Sequence, residues 1–135
     1  MKTIKDKKGQ VLVTIFNIKE YIGKEESTFF TEPDESLQIG SLAFKKGVAI
    51  EPHIHRKKKS ESVYPVSEML LILYGILEAD IYDESKTLIK TVTLSLGDML
   101  ISKRGGHGYR IIENTKLLDI RSGKYINKEN DKEMI

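Results

Sequence analysis

The feature that most constrains this chain is the density of short extended segments separated by turn signals. Stretches 11–17, 37–44, 67–74, 76–82, 88–96, 98–101, 107–112 and 116–121 are rich in Val, Ile, Leu, Thr and Tyr, side chains that fit a pleated, half-buried surface. Between them stand Lys46-Gly47, Gly75, Asp83-Glu84-Ser85, Gly97, Gly105-Gly106 and Glu113-Asn114, residues that favour turns. Only 18–26 has any helical character, and it is short and polar. So many strands and so little helix predict an all-β sandwich or barrel rather than α/β layers.

The chain has 135 residues, enough for one domain over residues 1–135 with a core of its own. Residues 124–135 are mostly charged or polar and are expected to form a surface arm or a frayed end. Lys and Arg number 22 against 20 Asp and Glu, a balance that gives no reason to expect nucleic acid as a partner. No cysteine is present. That excludes disulfides, thiolate metal sites and a cysteine nucleophile, and it fits a reducing, cytoplasmic location. The densest apolar run, 69–74, is far short of the ~20 residues of a membrane helix, so a soluble protein that does not engage a membrane is expected.

Three histidines carry the chemistry. His53 and His55 lie in an extended segment, Ile50-Glu51-Pro52-His53-Ile54-His55, and alternate strand residues share a face. Two adjacent imidazoles suit a transition metal, though a pair alone is equally well read as two surface or half-buried histidines. Glu68 opens the most apolar strand, Met69-Leu70-Leu71-Ile72-Leu73-Tyr74. A carboxylate entering a core needs a metal, a charge partner or hydrogen bonds. His107 follows Gly105-Gly106, where glycine lets the backbone turn sharply.

Together these residues resemble the two sequence motifs of the cupins. Gly47-x5-His53-x-His55-x12-Glu68-x6-Gly75 is similar to the first, with a lengthened stretch before the glutamate, and Gly97-Asp98-x8-His107-x6-Asn114 to the second. Residues 47–114 carry the likeness. Lys103 stands near the position where the second motif usually has proline. The resemblance implies a double-stranded β-helix, or jelly-roll barrel, often paired as a homodimer. It further implies that His53, His55, Glu68 and His107 hold one divalent transition metal (Fe, Mn, Ni, Co, Cu or Zn). Glu68 sets the chain apart from the three-histidine thiol dioxygenases of that superfamily. A complete ligand set sets it apart from the metal-free sugar epimerases.

The expected function is therefore a metal-dependent enzyme of isomerase, lyase or dioxygenase type acting on a small polar metabolite or sugar derivative. The alternative is a non-catalytic module that binds metal and ligand. Tyr109, two residues after His107, is the candidate proton donor. Asp119 and Arg121 share a face with Leu117 and form either an internal or an exposed pair. Tyr74 and Glu78 are further wall candidates. The run Arg56-Lys57-Lys58-Lys59 is a solvated loop or an attractor for anions.

Overall fold

The computed structural model describes residues 2–55, 67–123 and 132–135. In chain order the strands are β1 (Lys2–Lys5), β2 (Val11–Ile15), β3 (Thr28–Phe29), β4 (Leu37–Phe44), β5 (Ala49–His55), β6 (Glu68–Tyr82), β7 (Leu88–Ser95), β8 (Met99–Ser102), β9 (Gly106–Ser122) and β10 (Lys132–Met134). All pairings are antiparallel. The segment 18–26 contributes only one 3-10 turn, Ile18–Glu20, capped by the Asn17 side chain.

Two strands organise everything else. β6 and β9 pair along their whole lengths, from Glu68 opposite Arg121 to Tyr82 opposite Gly106. The first half of β6 carries β8 on its other edge and the second half carries β7. The second half of β9 carries β4, and the first half carries β5. Two sheets result: β10-β5-β9-β6-β7 and β3-β4-β9-β6-β8, joined where β6 and β9 bend. β1 and β2 form a separate ribbon.

The expectation of turns at Gly75 and at Glu113-Asn114 is corrected here. Both sites lie inside continuous strands, and the pairing register shifts between Ile72 and Leu77. Such bulges bend a strand without ending it. Gly75 has φ +92°, and a Cβ there would overlap the Asn114 carbonyl oxygen and the Thr115 hydroxyl. Only glycine permits that crossing. The sequence signal was a true irregularity, but the long β6–β9 ladder carries the chain through it.

Leu70, Ile72, Leu77, Ala79, Tyr109, Ile111 and Leu117 form the buried core between the sheets. Outside it, Lys116 is fully buried and its ammonium donates to the carbonyls of Lys24 and Glu26 at 2.8 and 3.0 Å. This bond pair clamps the segment before β3 onto the sheet. No helix among the described residues is long and apolar enough to cross a membrane.

Candidate metal centre

β5 and β9 bring the histidines together by a register irregularity. Ile50 pairs with Tyr109 and His53 with His107, so three residues on β5 span two on β9. In a regular strand Ile50 and His53 would face opposite sides. The bulge at Glu51-Pro52 restores the inward face, so Ile50, His53 and His55 all line one cavity. It also needs close backbone approach: a Cβ on Gly108 would sit 2.8 Å from Pro52 Cγ and 2.9 Å from its nitrogen.

The three imidazoles stand with centroids 4.8–5.2 Å apart. One nitrogen from each lies within 4.8 Å of the others, a group that could hold a metal ion. Glu68 reaches this group from β6. Its Oε2 touches His55 Nε2 and lies 3.8 Å from His107 Nε2. His53, Glu68 and His107 are only 4, 6 and 4 % exposed. Even so, Glu68 Oε2 and His107 Nε2 are buried without a hydrogen-bond partner. Leaving such atoms unsatisfied costs about 1–3 kcal/mol each, and a cation between them removes that cost.

Contacts behind the rings set their orientation. His53 Nδ1 lies 2.8 Å from the Glu51 carbonyl, and His107 Nδ1 lies 3.1 Å from the Ser102 hydroxyl. When each Nδ1–H donates to its oxygen, Nε2 keeps its lone pair for the cavity. Burial pushes both imidazoles down, each to about 4, although the Glu51 carbonyl and the Glu68 charge respectively pull them up. Burial would raise Glu68, but the His55 ring against its Oε2 and the positive charge that His55 and His107 would carry in acid outweigh that and hold it low, at about 2. Near neutral pH the site therefore presents neutral His53 and His107 beside an ionised carboxylate, the protonation state that metal binding requires.

The cavity is layered along the strands. The register pairs Glu68 with Arg121, Leu70 with Asp119 and Ile72 with Leu117. The top layer thus holds the histidines, Glu68 and Arg121. Tyr109 and Asp119 follow below, and Leu42, Phe44, Leu77, Ile111 and Leu117 close the inner end of a cavity of about 280 Å³. Tyr109 stacks on His107 with centroids 5.1 Å apart. Its hydroxyl is buried without a partner, and burial, with the Glu68 and Asp119 charges, raises its pKa, so it stays protonated. Asp119 and Arg121, read as either internal or exposed, face inward.

Other readings move. Glu78 pairs with Arg110 at 3.0 Å, both side chains well exposed, and Tyr74 lines a separate outer depression. Neither is a wall residue, because the bulges around Gly75 shift the inward face of β6 by the time it reaches Leu77. The run 56–59 lies outside the described residues. Sequence reasoning missed Ser102, on which His107 rests, and Lys132. β10 pairs Lys132 with His55 and Met134 with His53, so the end of the expected surface arm builds the cavity mouth. No local signal in the sequence marks either residue.

Solved structures share this fold. A conserved Klebsiella pneumoniae protein with a double-stranded β-helix domain superposes with a TM-score of 0.58 at 17% identity, covering 83% of this chain and 91% of that one. A cupin-2 domain protein from Shewanella frigidimarina matches at 0.55 and 18%, covering 82% and 94%. The chain has the cupin double-stranded β-helix fold. The coconut allergen cocosin matches over part of a larger chain, with a TM-score of 0.54 at 13% identity, covering 66% of this chain but 22% of that one. No protein-family model matches the sequence, and no curated protein does.

Proposed function

We propose that this cupin is a metal-dependent enzyme that holds one divalent first-row transition ion through His53, His55, Glu68 and His107. The observation that carries the reading is the convergence of Glu68 Oε2 and His107 Nε2, both buried and without hydrogen-bond partners, on the group formed by the three histidines. Three imidazoles and one carboxylate suit a first-row ion. Such an ion would supply Lewis acidity or redox chemistry at a position facing the cavity. The chain's own groups do the rest. Tyr109 presents a proton on its hydroxyl, and the apolar inner end excludes water and receives the substrate. The reaction is of isomerase, lyase or dioxygenase type on a small molecule whose polar end meets the centre.

Elemental analysis of untagged protein tests this, with a His53→Ala, His107→Ala variant measured alongside. About one first-row metal per native chain and almost none in the variant is the expected result. No metal after reconstitution with Fe, Mn, Ni and Zn would sink the proposal. The same reading includes a homodimer. The β1–β2 ribbon stands apart from the barrel with Val11 and Leu12 about 60% exposed (57% and 63%), and a second copy would cover them. Sedimentation of the intact chain as a monomer at micromolar concentration would count against it.

A further inference from the structure

The cavity changes chemistry along its depth, and this narrows what it can hold. From the Arg121 layer to the Leu117 layer is four residues of β9, or about 13 Å at strand rise. Arg121 and Lys132 border both the inner cavity and the outer depression over β3 and β4, together with Asp119. They therefore stand where the one opens into the other. Below them, the Tyr109 hydroxyl is an unpartnered donor on a side chain that is 7% exposed. Beneath that level, among the described residues, the wall is lined by Leu42, Phe44, Leu77, Ile111 and Leu117, all of them apolar.

Charge decides the sign of the polar end. Among the described residues around the cavity, Arg121 and Lys132 at least balance Glu68 and Asp119. A divalent ion at the centre would leave this set at least two charges positive, which favours an anion. An arginine fork beside a lysine is matched to a carboxylate. The apolar inner end would strip water from a sugar's hydroxyls without replacing their hydrogen bonds, a loss of about 1–3 kcal/mol for each.

We propose that the ligand is a small aliphatic carboxylic acid, its carboxylate at Arg121 and Lys132, an oxygen within reach of Tyr109 Oη–H, and its hydrocarbon tail against Leu42, Leu77 and Leu117. The inference rests on the metal-centre reading and narrows its small molecule to an amphipathic acid. A cavity of about 280 Å³ is at the small end of ligand sites, which sets the tail at a few carbons.

Titration calorimetry tests the proposal on reconstituted full-length protein whose metal content has been measured in the same sample. The probes are hexanoate, acetate (no tail), hexanamide (no charge) and gluconate (six hydrophilic carbons). Hexanoate is expected to bind at least tenfold more tightly than the other three. Arg121→Gln should weaken hexanoate at least tenfold and leave hexanamide unchanged. Leu42→Gln should weaken hexanoate and leave acetate unchanged. If that variant does not fold, the ligand series and Arg121→Gln still decide. Metal-bearing protein that binds gluconate as well as hexanoate, or hexanamide as well as hexanoate, or none of the four, overturns the amphipathic acid and leaves the metal centre standing. Protein that takes up no metal instead overturns the centre itself, and this proposal with it.

Discussion

Acid should destabilise the metal-free protein through two buried histidines, and Asp119 should conceal much of the effect. His53 and His107 titrate near 6.5 when unfolded and at about 4 when folded. As pH falls below 6.5 the unfolded chain takes up protons that the folded chain refuses, so stability is lost between about 6.5 and about 4. From pH 7.5 to 5.0 linkage gives about 2 kcal/mol for each ring, about 4 for both. Asp119 works the other way. Burial, with the Glu68 charge, raises it from 3.8 to about 7, so on acidification the folded chain takes up this proton first. Over the same interval it restores about 2 to 3 kcal/mol, leaving a net loss of about 1 to 2. Urea denaturation of chelator-treated protein at pH 7.5, 6.5, 5.75 and 5.0 measures this directly. Asp119→Asn should expose the full loss of about 4 kcal/mol, and His53→Gln, His107→Gln should turn the loss into a gain. Staying at or above pH 5.0 keeps ordinary carboxylates out of the comparison. Parallel stability curves for native protein and the double histidine variant would refute the reasoning, because the rings would then not be buried in their neutral form.

Other outcomes follow from the same geometry. Gly75→Ala places a Cβ against Asn114 and Thr115 at positive φ and should cost about 2–4 kcal/mol, read as a lower urea midpoint. Leu77→Ala opens a void at a fully buried position and should cost about 2–5 kcal/mol by the same assay. Gly108→Ala pushes on Pro52 and the bulge beside His53; metal per chain should fall while the circular dichroism spectrum stays native. Ending the chain before Lys132 removes the strand paired with His53 and His55 and should weaken metal retention, measured by competition with a chelator. If retention is unchanged, β10 does not support the centre.

The many short runs rich in Val, Ile, Leu, Thr and Tyr between turn residues were enough to predict an all-β fold, because strand and turn preferences are local properties of the chain. His53, His55, Glu68 and His107 were named from the resemblance their residue types and spacing carry, and Tyr109 from its place two residues after His107; His53, His55, Glu68 and Tyr109 line one cavity, and His107 packs against His53 and Tyr109 beside it. Tertiary structure decided what spacing cannot express. Gly75 and Asn114 read as turns, yet each lies within a long strand, since the β6–β9 ladder satisfies backbone groups that the local sequence leaves open. The inward face of a strand is fixed only once its bulges are known: the bulge at Glu51-Pro52 points Ile50 the same way as His53, and those near Gly75 send Glu78 to the surface. Lys132 reaches the site across a pairing with His55, and β8 sets Ser102 opposite Glu68 on a strand far away in sequence. A local reading has no access to such partners, because a pairing register is the outcome of the whole sheet's packing rather than of any one strand.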